Sequence, residues 1–185
     1  FEDQPYFSSH RALSTNGVDK PELNFFRMAG LLGGQRVAAT SSAAVPVQTI
    51  VTSGVRQQPD IDTIATRESN SAAVMVWNYQ DDAVPGPDAP VHVSISGIPK
   101  SVGRVLVQQF RIDEHHSNAF TVWKAMGSPQ HPDAEQYAKL QAAGQLQLKG
   151  SPMWATADNG RVNVQLELPR ESVALLRFSW GATKN

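Results

Sequence analysis

The chain has 185 residues, of which 41% are apolar, so it can bury one well-packed core and is not a disordered polypeptide. Its 16 basic and 17 acidic side chains give a net charge of −1 without a basic stripe, which argues against nucleic acid and anionic membranes as partners. No apolar run approaches the ~20 residues of a membrane-spanning helix. The absence of cysteine excludes disulfides, thiolate metal sites and cysteine nucleophiles, and leaves both cytoplasm and periplasm open as compartments.

The first seven residues combine two adjacent carboxylates, Glu2 and Asp3, with three aromatic side chains and a proline. Acidic and aromatic residues are typical of the mouth of a (β/α)8 barrel, because the carboxyl ends of the barrel strands carry the active site. The N-terminus is therefore expected to be the end of a last barrel strand, with the catalytic body upstream.

A helix is predicted over residues 19–34. Asp19 can cap it, Pro21 suits its first turn, and Gly33-Gly34 can end it. Residues 1–34 are thus predicted to form a strand end, a loop and a helix. The apolar face of this helix comprises Leu23, Phe25, Phe26, Met28, Leu31 and Leu32.

After the helix, the apolar residues adopt the two-residue period of half-buried strands. Residues 91–95 and 161–168 alternate between apolar and polar, and residues 72–79 are apolar on both faces, as in a central strand. Short strands separated by Gly/Pro turns predict a mainly β fold, an antiparallel β-sandwich over residues 35–185. Further predictions are strands at 61–67, 104–112 and 172–180, a turn at 81–88, and a strand or loop at 41–55.

Residues 113–145 interrupt the strand pattern with two predicted short helices. The first follows Ser117-Asn118, and the second begins at Pro132 and stops at Gly144. Long connections with secondary structure of their own are often functional, so this helical insertion is a candidate for a role at the site.

Six motifs of the chain lie at residues 1–4, 15–21, 24–28, 76–79, 111–118 and 168–170. They resemble glycoside hydrolase family 39, and the bacterial β-xylosidases within it in particular. Together the motifs extend over nearly the whole chain, and the motif around Asp113 is the most specific. The family also includes α-L-iduronidases as relatives.

The resemblance implies a (β/α)8 barrel that carries a β-sandwich accessory domain, with residues 1–34 ending the barrel and residues 35–185 forming the sandwich. It also implies retaining hydrolysis of β-1,4-xylo-oligosaccharides from their non-reducing ends, by two carboxyls roughly 5–5.5 Å apart and without a cofactor. In the family both carboxyls precede the last barrel strand, so we expect no catalytic residue here. A barrel of ~250 residues must then lie upstream as the partner of the sandwich.

The resemblance further assigns Glu2 and Asp3 to the paired acids that contact sugar hydroxyls in the −1 subsite. The family more often has a second glutamate where this chain has Asp3. Phe7 lies in the same loop and either lines the pocket wall or packs beneath the loop. His10 is expected to be solvated.

The sequence Asp113-Glu114-His115-His116 contains side chains of the types that form metal sites and the catalytic carboxylate pairs of glycosidases. Adjacent residues of an extended segment point to opposite sides, and the spacing lacks the i, i+4 pattern of helical metal ligands. Both roles are therefore rejected. Instead, we expect residues 113–145 to form an arm that reaches the barrel mouth; the alternative is a cap packed on the sandwich edge. The aromatic residues of this insertion are Phe120, Trp123 and Tyr137.

Trp77 and Trp180 are predicted to lie in the core, while the position of Trp154 stays open. An exposed aromatic platform on one sheet face would favour an alternative function, a non-catalytic carbohydrate-binding or structural module. The sandwich is also expected to buttress the barrel, and it could support contacts between copies in a homo-oligomer.

Overall fold

The structure is a computed structural model that describes residues 6–7, 12–82 and 85–181. Its N-terminal part is a short hairpin followed by a helix. Strand β1 (Ser14–Thr15) pairs with β2 (Val18–Asp19), and α1 (Pro21–Gly30) follows after one residue. Pro21 begins the helix, as predicted, because its fixed φ suits the first turn.

Both ends of α1 differ from the prediction. The N-cap is Lys20, whereas Asp19 belongs to the hairpin and its carboxylate lies 2.9 Å from the guanidinium of Arg27. The predicted cap at Asp19 is therefore wrong, since strand pairing fixes this residue before the helix starts. The helix also ends at Gly30, before the predicted stop at Gly33-Gly34.

In the part of the chain that the structure describes, a seven-stranded antiparallel sheet faces a two-stranded one. Their strands are β3 (Gln35–Val37), β4 (Asp60–Arg67), β5 (Ser71–Tyr79), β6 (Ala89–Ser96), β7 (Arg104–Ile112), β8 (Gln147–Leu148), β9 (Met153–Thr156), β10 (Arg161–Leu168) and β11 (Ser172–Ser179). The large sheet has the order β3-β4-β5-β11-β7-β8, with β9 also pairing with β7; the small sheet pairs β6 with β10.

The predicted mainly β, antiparallel fold is confirmed. Strand β5 lies centrally between β4 and β11, as its apolar sequence indicates, and the inward residues of β6 and β10 alternate with outward ones. Side chains from the inner faces of both sheets build the main core. It contains, among others, Val74, Val76, Val105, Val107, Val162, Leu166, Leu168, Leu176, Phe178 and Trp180.

Residues 41–55, predicted as strand or loop, contain the helix α2 (Val47–Ser53). Pro46 occupies its N-cap position. The β-branched residues of this segment lower its helix propensity, and its apolar stripe of Val47, Ile50 and Val51 is too short to distinguish a helix from a strand in the sequence. The predicted strand is therefore wrong, and the loop alternative is right only for residues 41–46 and 54–55.

The insertion at residues 113–145 contains two helices, as predicted. Helix α3 (Ala119–Ala125) is capped by the side chain of Asn118, and α4 (Ala134–Ala143) by Asp133 in a capping box with Gln136. We call residues 113–145 the arm.

Two smaller apolar clusters lie outside the sandwich core. One joins α1 to the outer face of the large sheet, where Met28 packs with Met75 and Leu175. The other joins the arm to the N-terminal hairpin through Val18 and Leu140. Helix α1 is thus attached to the sandwich, and the arm to the hairpin that precedes this helix. Among the described residues, every helix is too short to span a bilayer.

Replacement of Leu176 by alanine tests the core. Leu176 is fully buried between the sheets, so Leu176→Ala removes packed methyl groups and leaves a cavity. The free energy of unfolding should fall by about 2–5 kcal/mol in urea titrations. The control Val51→Ala, at an exposed position of α2, should change it by less than ~0.5 kcal/mol. Equal effects of the two variants would contradict this location of the core.

Candidate functional site

Phe7 is the predicted site residue that the structure describes; Glu2, Asp3 and His10 lie outside the described residues. The half-buried Phe7 ring packs on the arm, with its centroid 5.8 Å from that of Phe120 and 5.2 Å from that of Trp123. One part of the Phe7 ring is therefore packed against the arm. A role of Phe7 in lining a sugar pocket stays a prediction.

Hydrogen bonds fix the backbone next to Phe7. The N–H of Tyr6 donates to Oε1 of Gln130 in the arm at 2.8 Å. The carbonyl of Tyr6 accepts from the Thr15 hydroxyl and, at 3.3 Å, from Nδ2 of Asn16. Residues 6–7 are therefore held between the β1–β2 hairpin and the α3–α4 connection.

The hairpin and the arm pack closely at the turn of the hairpin. The Tyr137 hydroxyl donates to the carbonyl of Asn16 at 3.2 Å. Gly17 has a positive φ of 78°, and a Cβ there would lie 2.6 Å from the Tyr137 oxygen. Glycine thus permits both the turn and the approach of α4. Trp123 in α3 is buried, and its Nε1 donates to the carbonyl of Pro129 at 2.8 Å.

Asn24 in α1 holds both ends of the arm. Its Nδ2 donates to the carbonyl of Ser117 at 3.0 Å and to that of Gly144 at 2.7 Å. Its Oδ1 accepts from Arg27 at 3.0 Å. The side chain is fully buried, so each of these polar atoms depends on its protein partner. This role of Asn24 was not predicted from the sequence; a polar residue within the apolar face of a helix is the signal that could have indicated it.

Asp113 organises the turn at which the arm leaves β7. Its Oδ1 accepts from the backbone N–H groups of His115 and His116 and contacts Nδ1 of His116, each at 2.8 Å. Its Oδ2 lies 3.6 Å from the guanidinium of the fully buried Arg111, which in turn donates to the carbonyl of Glu167. The Asp113 carboxylate thus stabilises the turn at which the arm joins the sandwich.

The ionised form of Asp113 is favoured in the fold. Burial alone raises the pKa of this carboxyl, but the hydrogen bonds from His116 and His115 and the charge of Arg111 outweigh burial. The pKa of Asp113 therefore lies below its usual range. Among the described residues, no cluster of three or more His, Asp or Glu side chains is placed to hold a metal ion.

Apart from Trp123 in the arm, the three other tryptophans occupy three different environments. Trp180 lies in the sandwich core, as predicted. Trp77 is half-buried on the outer face of the large sheet, where its Nε1 donates to Asp60 at 2.8 Å, so its predicted core position is wrong. Odd-numbered residues of β5 face outward, which explains the difference. Trp154 is exposed and lies beneath the guanidinium of Arg104, 5.1 Å from the ring centroid.

Among the described residues, the exposed aromatic side chains lie on three surfaces. Phe120 lies on the arm and Trp154 on β9, whereas Phe25 and Tyr79 border one groove between α1 and the large sheet, with Phe26 next to Phe25. The alternative of a carbohydrate-binding module stays a prediction, with this groove as the place where aromatic side chains gather.

A sequence model of Glycosyl hydrolases family 39 matches residues 2–163, most of the chain. The chain belongs to glycoside hydrolase family 39. This family 39 chain is 26% identical over 172 residues to a protein named Beta-xylosidase from Caldicellulosiruptor saccharolyticus. The match covers 92% of the chain and 32% of that protein. The resemblance found in the sequence motifs is thus confirmed at the level of the family.

Two solved structures share the fold. A monomeric beta-xylosidase from Caulobacter crescentus CB15 matches with a TM-score of 0.70 and 16% identity, over 96% of this chain and 34% of its own. A family 39 enzyme from Xanthomonas axonopodis pv. citri matches with a TM-score of 0.69 and 16% identity, over 88% of this chain and 30% of its own. The family 39 chain described here thus spans about a third of the length of these proteins.

The variant Asp113→Asn tests the ionised turn. Because the folded pKa of Asp113 is below its unfolded value of ~3.9, its charge stabilises the fold above that value. This stabilisation is lost as the pH falls through the folded pKa. At pH 7 the variant should lose roughly 1–3 kcal/mol of unfolding free energy, and the difference from the natural protein should shrink below about pH 4.

Urea titrations at pH 7, 5, 4 and 3 measure this difference. The matched control Asp82→Asn, at an exposed carboxylate, should stay within ~0.5 kcal/mol of the natural protein throughout. A pH-independent loss in Asp113→Asn would show that the charge of Asp113 is unimportant.

Proposed function

We propose that this chain is the C-terminal part of a β-xylosidase that releases xylose from the non-reducing ends of β-1,4-xylo-oligosaccharides with retention. The family match, which includes Glu2 and Asp3, carries the proposal, and the 26% identity to the protein named Beta-xylosidase supports the substrate. In this proposal an upstream (β/α)8 barrel supplies the general acid and the nucleophile, roughly 5–5.5 Å apart. Residues 1–34 complete that barrel.

In the proposed enzyme, Glu2 and Asp3 bind the sugar rather than attack it. A carboxylate accepts charge-assisted hydrogen bonds from neighbouring hydroxyls, which fixes the ring relative to the two catalytic carboxyls. The shorter side chain of Asp3 reaches less far than the glutamate more common in the family. The main contact is therefore assigned to Glu2.

The arm is proposed to shape the entrance of the active site beyond the scissile bond. Support comes from the contacts of Phe7 with Phe120 and Trp123, because Phe7 follows the two acids by only four residues. Phe120 is 41% exposed, and Nζ of Lys124 lies 5.6 Å from its ring centroid. An exposed ring at this position can contact the apolar face of a xylose unit.

Replacement of Glu2 tests the sugar contact. In the complete protein, Glu2→Ala should lower kcat/KM for an aryl β-D-xyloside at least tenfold, which corresponds to ~1.4 kcal/mol of transition-state stabilisation. The control Asp82→Ala removes an exposed carboxylate far along the sequence and should leave kcat/KM unchanged. An unchanged value in Glu2→Ala would remove Glu2 from the site.

Replacement of Phe120 tests the arm. In the complete protein, Phe120→Ala should lower kcat/KM for xylotriose about threefold or more relative to kcat/KM for xylobiose, since the lost ring contacts the more distant unit. Phe120→Tyr keeps the ring and should restore the ratio. A merely structural role predicts an equal loss for both substrates, and that result would contradict the proposal.

A further inference from the structure

Part of the outer face of the large sheet lies beyond the residues on which α1 packs. A row of paired residues crosses this part over the neighbouring strands β9, β7, β11 and β5, because paired residues share one face of a sheet. At the usual strand spacing of about 4.8 Å such a row is ~14 Å long, the length of a short oligosaccharide. The row consists of Trp154, Leu106, Ser179 and Ser71.

Polar side chains stand on both sides of this row. Arg104 and Gln108 lie two residues before and two residues after Leu106 on β7, so they point to the same side of the sheet. Arg177 on β11 pairs with Gln108 and lies beside it. We call the row and these three residues together the tryptophan face.

The apolar surface of this face is centred on Trp154. The side chain is 56% exposed, and its cross-strand partner Leu106 is half-buried beside it. The guanidinium of Arg104 lies 5.1 Å from the centroid of the indole ring. An accessible indole can contact the C–H face of a pyranose ring, and a cation held against the indole can pair with a charged group of the same ligand.

The tryptophan face is positively charged. Neither Arg104 nor Arg177 forms an ion pair with a carboxylate in the part of the chain that the structure describes. One acid borders the face at the end opposite Trp154, where the Glu68 carboxylate accepts from the Ser71 hydroxyl at 2.8 Å. Guanidinium groups without a protein carboxylate complement an anionic ligand, and they form bidentate hydrogen bonds with carboxylates.

The groove between α1 and the large sheet differs from the tryptophan face in charge. Its lining combines the aromatic side chains of Phe25 and Tyr79 with two acids, Asp62 and Glu171, and one base, Arg36. An anionic ligand would meet both carboxylates there. The tryptophan face is therefore the better surface for an acidic ligand, although it has fewer aromatic side chains.

We propose that the tryptophan face binds an acidic oligosaccharide, a xylo-oligosaccharide that carries a uronic acid substituent. A pyranose ring packs on Trp154 and Leu106, and the uronate carboxylate pairs with Arg104. Gln108 and Arg177 donate hydrogen bonds to hydroxyls of neighbouring units. The choice of xylan as the backbone rests on the proposed function, whereas the indole and the two arginines indicate an acidic saccharide by themselves. Binding here would retain branched, acidic xylan fragments on the enzyme.

Titration calorimetry of the complete protein tests the proposal. The ligand is xylotriose with glucuronic acid on its non-reducing terminal unit, where the substituent prevents hydrolysis from that end. Trp154→Ala should raise the Kd for this ligand about tenfold, because the ring contact is lost. Arg104→Gln should raise it about fivefold, because the carboxylate loses its partner. An unchanged Kd in Trp154→Ala would overturn the proposal.

A matched ligand isolates the contribution of the charge. In the carboxyl-reduced form of the same sugar, glucose replaces glucuronic acid and the carboxylate is absent. Arg104→Gln should leave the Kd for this neutral ligand unchanged, whereas Trp154→Ala should still raise it. An equal effect of Arg104→Gln on both ligands would contradict the pairing of Arg104 with the carboxylate and overturn the proposal.

Control variants locate the site. Arg161→Gln removes an exposed arginine of β10 in the small sheet, and Tyr79→Ala removes an exposed ring of the groove beside α1; both should leave the Kd unchanged. Trp154→Phe keeps a ring and should restore most of the affinity, which separates a lost contact from a folding defect. A loss in Arg161→Gln as large as in Arg104→Gln, or a loss confined to Tyr79→Ala, would overturn the proposal.

Hydrolysis of an aryl β-D-xyloside by the same proteins reports separately on the proposed function. Binding that depends on Trp154 in a protein without this activity keeps the acidic saccharide site and refutes the proposed function. Hydrolysis together with a Kd that Trp154→Ala does not change keeps the proposed function and refutes the site.

Discussion

The side-chain amide of Asn24 connects parts of the molecule that are far apart in sequence. From α1 it donates to the carbonyl of Ser117, shortly before α3, and to that of Gly144, directly after α4. A buried donor or acceptor left without its partner costs about 1–3 kcal/mol, so the amide strongly favours one position of the arm relative to the helix. Everything that the arm contacts, including Phe7, depends on this position.

The sandwich provides the rigid support for this arrangement. Arg111 and Asp113, both buried, fix the turn by which the arm leaves the large sheet, and α1 packs on the outer face of the same sheet. A loop can carry binding residues accurately when it is held by a rigid scaffold. Tyr6 and Phe7 are held in this way by the hairpin and by the arm. In the proposed function, this support lets a domain without the catalytic carboxyls contribute to the geometry of the active site.

The sequence predicted those features that are recorded in local patterns. The alternation in residues 161–168 and the continuous apolar run of residues 72–79 predicted a half-buried and a central strand, because burial imposes these patterns directly. Helix α2 escaped prediction because its β-branched residues are typical of strands and its apolar stripe is short. The farthest hydrogen-bond partner of Asn24 lies 120 residues away in the sequence, and that of Arg111 lies 56 residues away. No local sequence pattern indicates such distant pairs, so the roles of Asn24 and Arg111 could not be predicted.

The stereochemistry of xyloside hydrolysis by the complete protein tests the central claim most directly. Proton NMR during hydrolysis of an aryl β-D-xyloside distinguishes the two anomers of the released xylose before they equilibrate. A retaining β-xylosidase must release the β-anomer first, since two successive displacements restore the configuration. First release of the α-anomer, or the absence of hydrolysis, would contradict the proposed activity.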